Sequence, residues 1–322
     1  MNLGASAGKQ VMAIGELLID FIVDDGAPSL ESASSFAACS GGAPANVTVA
    51  LARLGVPSAF CGVTGDDPFG ARLRSELSAE GVDTSRLRRT SEAATTLAFA
   101  WKDQRGDGHF WLLRGADLLL STADAEAARI AELAALVFGS VSLAAPSTRA
   151  AVGRAVELAR GAGVPVVFDV NLRATVWSNL GEAASRCFDM ARQSDLVKIS
   201  LDDALGIFGS ATSPTSALEQ VQSFGPRTVV LTDGERGCWF SSLPDFSVSF
   251  VPAFSVASIE PTGAGDAFTA ALIARSLAND WTAPSSDDIR FAAAAGALAT
   301  TRAGAWDGLP SLEQLNRFLQ SA

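Results

Sequence analysis

The chain has 322 residues, 48% of them hydrophobic and 18% charged, enough to bury a large core without disulfide or metal staples. Twenty-four basic side chains against 35 acidic ones leave a net charge of −11, and no run of Lys or Arg offsets it. Such a surface repels an extended phosphate backbone, which argues against nucleic acid as a partner.

In chain order, "QVMAIGE" (10–16) reads as a first strand and "IDFIV" (19–23) as a second extended run. The Ser/Ala-rich stretch 29–40 reads as a loop or irregular edge. "PANVTVALARLG" (44–55) is expected to be a helix, with Pro44 in its first turn and Gly55 as its stop. "SAFCGVTG" (58–65) is a strand and "DPFGARLRSELSAEG" (67–81) a helix. "TLAFAWKD" and "HFWLLRGAD", joined by "QRGDG", form an expected hairpin; Leu97, Phe99 and Trp101 share one face of its first strand.

From there strands and helices alternate. "LVFGSVSL", "VPVVFDV", "SDLVKIS" and "RTVVLTDG" are strands, separated by helices in "STRAAVGRAVELARGAG", "GEAASRCFDMARQ", "LDDALGIFG" and "SALEQVQSFG". Two short β pieces, "GCWFSS" and "FSVSFVPAF", precede a helical end made of "DAFTAALIARSLAND", "DDIRFAAAAGALATTRAG" and "SLEQLNRFLQ". This alternation implies an α/β fold, a mainly parallel sheet covered by helices on both faces. No repeat or linker divides the chain, so one domain over 1–322 with a small β-rich protrusion is expected.

The four cysteines, Cys39, Cys61, Cys187 and Cys238, have no metal-type spacing and read as isolated thiols. The stretch 1–10 lacks the apolar core of a signal peptide, and no apolar run is long enough to span a bilayer. A cytoplasmic location, with no membrane partner, is the expectation. A single histidine, His109, excludes zinc clusters built on several histidines, and it lies in a strand-like run. A general base is therefore sought among the carboxylates.

In a parallel sheet, ligands bind beyond the carboxyl ends of the strands. Polar residues gather there: Asp169, Asn171 and Arg173 after one strand, Lys198 and Ser200 after the next, Thr232, Asp233 and Gly234 after a third. Two Gly-rich helix starts add anion-binding potential. In "EPTGAGDAF" (260–268), Asp266 is either a helix cap or a reacting carboxylate, and shape alone leaves both open. In "CSGGAPANV" (39–47), Gly41 and Gly42 permit close backbone approach, and Asn46 can bond a hydroxyl, though a tight turn before Pro44 explains the stretch equally well. Asp20, taken singly, reads as a solvated loop residue.

Taken together, these stretches resemble the PfkB (ribokinase-like) family of carbohydrate kinases. "GGAPAN" is similar to its N-terminal signature and "PTGAGDAF" to its C-terminal one. "DVNLRATVW", "TDGERG" and "TTRAGA" resemble segments of fructokinases, of the nucleotide site and of the cation region, in the family's order. The resemblance implies a ribokinase-like fold with a β-rich lid from segments near 19–38 and 96–117. It implies Asp266 as general base, with the N–H groups of Gly263, Ala264 and Gly265 as an anion hole. Sugar contacts would come from Asp20, Gly41, Gly42, Asn46, Arg173 and Arg114. ATP would meet Asn171, Lys198, Ser200, Asp203, Thr232 and Gly234, with Mg²⁺ carried mainly by its phosphates and water. A monovalent cation, K⁺, would sit against Glu260, Thr262, Ala299, Arg302 and Gly304. The resemblance also implies a possible homodimer formed through the lid.

Several positions depart from the family pattern. Glu260 stands where Asp is usual, Ser200 and Asp203 replace an Asn-x-x-Glu pair, Leu113 replaces a common Tyr, and Gly308 lacks a side-chain oxygen. The "GELLIDFI", "DVNLRATVW" and "FWLLRGAD" segments are most like fructokinases, which implies phosphorylation of D-fructose to fructose 6-phosphate. The alternatives are a 2-keto-3-deoxygluconate kinase, then a ribokinase or nucleoside kinase, and, outside enzymes, an inactive sugar sensor. A nicotinamide oxidoreductase would need GxGxxG after the first strand, and "AIGELLID" has one Gly.

Overall fold

The computed structural model describes residues 8–105, 108–209 and 212–321. Its elements run β1 (Val11–Ile14), β2 (Leu18–Val23), β3 (Phe36–Gly41), α1 (Ala43–Arg53), β4 (Ser58–Gly65), α2 (Pro68–Ala79), β5 (Leu87–Thr90), β6 (Thr96–Lys102) and β7 (Gly108–Leu113). Then come α3 (Thr122–Ala127), β8 (Ala135–Gly139), α4 (Pro146–Gly161), β9 (Val166–Asp169), α5 (Leu180–Ala191), β10 (Leu196–Ser200), α6 (Leu201–Phe208) and α7 (Pro214–Ser223). The chain ends with β11 (Thr228–Thr232), β12 (Cys238–Ser242), β13 (Ser249–Val251), α8 (Ala264–Ala278), α9 (Ser286–Ala299) and α10 (Leu312–Ser321).

Nine strands form the main sheet in the order β13-β12-β11-β10-β9-β8-β1-β4-β5, parallel from β11 through β5, with β12 and β13 antiparallel at one edge. Its strands are buried on both faces. In β1, Val11 and Ala13 join the core under α1, α2, α8, α9 and α10, while Met12 and Ile14 join the core under α3 to α7. This two-sided burial is why the strands read as unbroken apolar runs.

A second sheet of four strands, in the order β3-β2-β6-β7, forms the lid. Here the period-2 rule separates two faces. Leu18, Asp20, Ile22, Ala100, Phe110 and Leu112 point into a cleft between the sheets. On the opposite face, Phe99 stacks on Phe21 and on Trp111 with ring centroids 5.5 Å apart in each case, and Phe69 of α2 meets Phe21 edge-on at 5.8 Å. Leu97, Phe99 and Trp101 therefore form the outer side of the lid and do not cover the cleft.

Three elements differ from expectation. The Ser/Ala-rich stretch ends in β3, a true strand that pairs along the whole of β2. β5 reads "LRRT" and α3 "TADAEA", too short and polar for their periodicity to show. In the hairpin connection "QRGDG", Gly106 and Asp107 lie outside the described residues, as do residues 1–7. Among the described residues no helix is long and apolar enough to cross a membrane.

Candidate active site

The carboxyl ends of β1, β9 and β10, the starts of α1 and α8, and the inner face of the lid enclose a cleft of about 320 Å³. Two backbone turns set its shape. Gly42 precedes α1 with φ 106°, and a Cβ there would lie 2.6 Å from the Glu16 carbonyl oxygen. Gly263 precedes α8 in the left-handed region, φ 83°, and a Cβ there would lie 2.9 Å from the Ala305 carbonyl oxygen. Neither turn admits a side chain. Because Gly263 offers no side-chain cap, the first N–H groups of α8 have no partner from the cap residue. Gly263 and Gly265 line the cleft, whereas the Ala264 N–H, expected in the anion hole, donates to the Pro261 carbonyl at 3.1 Å.

Asp266 lies in the first turn of α8, 8% exposed, but it does not cap the helix. Its Oδ2 accepts a hydrogen bond of 2.7 Å from the Asn46 amide on α1. Burial pushes its carboxyl up to about 6, with Asp169 adding to the rise and Asn46, Lys198 and Arg173 opposing it. A carboxyl poised there is ionised at neutral pH yet basic enough to take a proton.

Beneath it, Lys198 and Asp169 pair across β10 and β9 at 3.1 Å, both buried. Thr269 donates to Asp169 at 2.6 Å. Burial opposes the Lys198 charge, but Asp169, Asp203 and Asp266 together keep it protonated. A Cβ on Gly265 would sit 2.8 Å from the Lys198 Nζ, so the ammonium lies against the start of α8. The positive end of α8 and this ammonium lie together at Gly265, which suits an anion.

On the lid side, Asp20 keeps some contact with the cleft but sits deep enough that burial pushes its carboxyl up to about 7. Arg173 opposes that rise, while Glu260 and Asp266 reinforce it. Gly41 lies against the Asp20 carboxylate and leaves it room: a Cβ there would overlap Oδ2. Asn171, Arg173, Glu260 and Thr262 complete the lining. Asn171 has φ 39°, a left-handed conformation that Asn tolerates better than most residues.

Other residues expected at the site lie around the cleft. Thr232 is paired beside Ser200 at the same sheet edge, followed by Gly234. Ser200 and Asp203 are engaged at the start of α6: Asp203 Oδ2 accepts from the Ser200 N–H at 3.1 Å, Ser200 Oγ accepts from the Asp203 N–H at 3.0 Å, and Asp203 Oδ1 accepts from the Leu172 N–H at 2.9 Å. Together they form a capping box, and neither side chain lines the cleft. Arg114 donates from Nε to Asp117 at 2.8 Å and from Nη1 to the carbonyl of the cleft residue Val141 at 3.3 Å, and it is not itself part of the lining.

The cation region joins two loops. Ile259 and Glu260 donate their N–H groups to the Thr300 carbonyl at 2.7 and 3.1 Å. Glu260 accepts from the Thr262 hydroxyl at 2.5 Å and from the Gly304 N–H at 2.9 Å. Ala299 is buried at the end of α9 and Arg302 is exposed in the loop beyond.

Two residues were not anticipated. Glu16, 4% exposed, lines the cleft, accepts from Ser142 Oγ at 3.1 Å, and has its carboxyl pushed up to about 7 by burial. Its place directly after β1, at the carboxyl edge of the sheet, was the available signal. Trp306, 8% exposed, donates from Nε1 to Asn46 Oδ1 at 2.7 Å; nothing in its local sequence marks it.

Comparison with known proteins shows the family of the chain. Residues 9–312 match the family described as pfkB family carbohydrate kinase. The chain is 34% identical to a rice protein named Fructokinase-1 over 99% of this chain and all of the relative, and 35% identical to maize Fructokinase-1 over 98% and 100%. Among solved structures it is similar to a fructokinase with bound ATP from Xylella fastidiosa, with a TM-score of 0.86, 30% identity, and 97% and 99% of the two chains covered. It is also similar to a Vibrio cholerae fructokinase double mutant bound to fructose, ADP and a potassium ion, with a TM-score of 0.84, 32% identity, and 97% and 98% covered. With its nine-stranded sheet, four-stranded lid and two Gly-rich helix starts, the chain belongs to the pfkB family of carbohydrate kinases and has the ribokinase-like fold.

Proposed function

We propose that this sugar kinase is an ATP-dependent fructokinase that makes fructose 6-phosphate. The observation that carries the phosphoryl-transfer reading is the buried Asp266 carboxylate at the Gly-rich start of α8, beside the Lys198 ammonium. The choice of fructose is supported by the names of the relatives.

The sugar hydroxyl oxygen attacks the γ-phosphorus of ATP; the new O–P bond forms as the bond to the β-phosphate oxygen breaks, and ADP leaves. Asp266 receives the hydroxyl proton. The N–H groups of Gly263 and Gly265 offset charge on the transferring group, aided by Lys198. Asp20, Asn46, Gly41, Gly42 and Arg173 hold the sugar, and Phe110 and Leu112 of the lid roof it and exclude water. Asn171, Thr232 and Gly234 meet the nucleotide.

Mg²⁺ would enter with the ATP phosphates, a hard cation that keeps much of its water and offsets their charge. The Glu260 carboxylate and loop carbonyls offer hard oxygen donors suited to K⁺, which would lend fixed positive charge near the start of α8. The half-exposed Trp111 and Leu113 on the outer lid face support a homodimer formed there, to be checked by sedimentation velocity of Trp111→Ser against the parent. Activity takes place in the cytoplasm on this reading.

The test is ADP release measured with fructose, 2-keto-3-deoxygluconate, ribose and nucleosides as acceptors. The highest kcat/KM is expected with fructose; negligible turnover on fructose beside good turnover on another acceptor would overturn the assignment.

A further inference from the structure

Trp306 and Asp266 do not touch, yet Asn46 joins them. The Trp306 indole donates to Asn46 Oδ1 at 2.7 Å, and Asn46 Nδ2 donates to Asp266 Oδ2 at 2.7 Å. An amide presents an acceptor oxygen on one side and a donor nitrogen on the other, whereas an indole N–H can only donate. With Trp306 in place, a single orientation of Asn46 satisfies both neighbours. Turned over, the amide would set its oxygen against the carboxylate and its nitrogen against the indole N–H. Asn46 is 4% exposed, so water is poorly placed to repair that mismatch.

The indole itself is held from behind. Arg53 Nη1 donates to the carbonyls of Trp306 at 2.5 Å and Leu309 at 2.9 Å, while its Nη2 pairs with Glu80 at 2.5 Å. The donor is thus fixed by its own backbone before it reaches Asn46.

We propose that Trp306 is a positioning residue for phosphoryl transfer: its N–H locks the Asn46 amide so that the NH₂ group faces Asp266 and holds the carboxylate aimed at the substrate hydroxyl. The inference rests on the reading of Asp266 as the base. Without the indole donor, Asn46 samples the reversed orientation, and its oxygen then opposes the ionised carboxylate. The other charged groups around Asp266 remain in place: Asp169 on β9, Lys198 on β10, Arg173 beyond β9, and Asp20 across the cleft.

Two replacements isolate the donor. Trp306→Phe keeps an aromatic ring, and exchange of the Trp306 indole for benzothiophene, by unnatural amino-acid incorporation, keeps the shape and removes only the N–H. Both are expected to lower kcat by roughly three- to tenfold, the worth of one neutral hydrogen bond, and to move the acid limb of the kcat/KM profile to higher pH. A benzothiophene variant with the parent's kcat and acid limb would overturn the proposal, and so would a loss confined to Trp306→Phe, since that assigns the effect to packing. Asp266→Asn separates the two levels. If it retains turnover, the base assignment fails and takes this proposal with it; if it is dead while both Trp306 replacements behave as the parent, only the role of Trp306 fails.

Discussion

The Asn46 amide and the Asp266 carboxylate lie 2.7 Å apart, joined across 220 residues of chain. That bond favours the ionised acid, but burial outweighs it and sets the carboxyl near 6. A base must be unprotonated to act. With Asp266 near 6 and the sugar-holding Asp20 near 7, the kcat/KM for sugar should be flat above about pH 8 and fall at least tenfold per unit below about 6. A pH–rate profile from 5 to 9 checks this, and a profile level down to pH 5 would remove Asp266 from the role of base.

Glu16 yields a stability prediction of defined sign. Its folded carboxyl titrates at about 7, above its unfolded value, so the folded state holds the proton longer as pH rises. Stability is then lost progressively between about pH 4 and 7, and Asp266 contributes in the same direction. Glu16→Gln removes the cost of burying the charge and should stabilise by on the order of 1–3 kcal/mol at pH 8, and by less at pH 5. Urea denaturation at the two pH values is the measurement. Equal effects at both would contradict the account.

Lys198 and Asp169 form a pair that the interior cannot easily lose on one side. Lys198→Met leaves Asp169 buried without its cation and should cost about 3–5 kcal/mol by denaturant unfolding. The same change should raise the KM for ATP, since the ammonium lies against the Gly265 backbone. Unchanged unfolding would show that Thr269 alone satisfies the carboxylate.

Glu260 ties the loop before α8 to the loop after α9 through Thr262 and Gly304. Turnover is expected to be higher in K⁺ than in tetramethylammonium at equal ionic strength, and Glu260→Ala should diminish the difference. Rates independent of the cation in the parent enzyme would dismiss the site.

Much of the fold was legible because local and global signals agree: "SAFCGVTG" occupies β4 residue for residue, and the β9, β10 and β11 runs are apolar because both faces are covered. β3 was obscured by its Ser and Ala content, since an edge strand held by the ladder to β2 needs few large apolar side chains. The positions of Asp20, Asn46, Arg173 and Asp266 around one cleft were anticipated through distant motifs. Arg114 follows β7, and only the fold shows Asp117, three residues on, pairing with its guanidinium. Trp306 was beyond reading, for its meaning lies in a partner 260 residues away.

The lid is one sheet made from two separate excursions of the chain, sewn together by the parallel ladder from Leu18–Thr96 to Ile22–Ala100. No covalent link other than the main body joins the ribbon bearing Asp20 to the ribbon bearing Phe110 and Leu112. On the proposed function the ladder would act as a mechanical coupling: a shift of the Asp20 strand toward a bound hydroxyl would carry the apolar roof with it. Gripping the sugar and shutting out water would then be one movement.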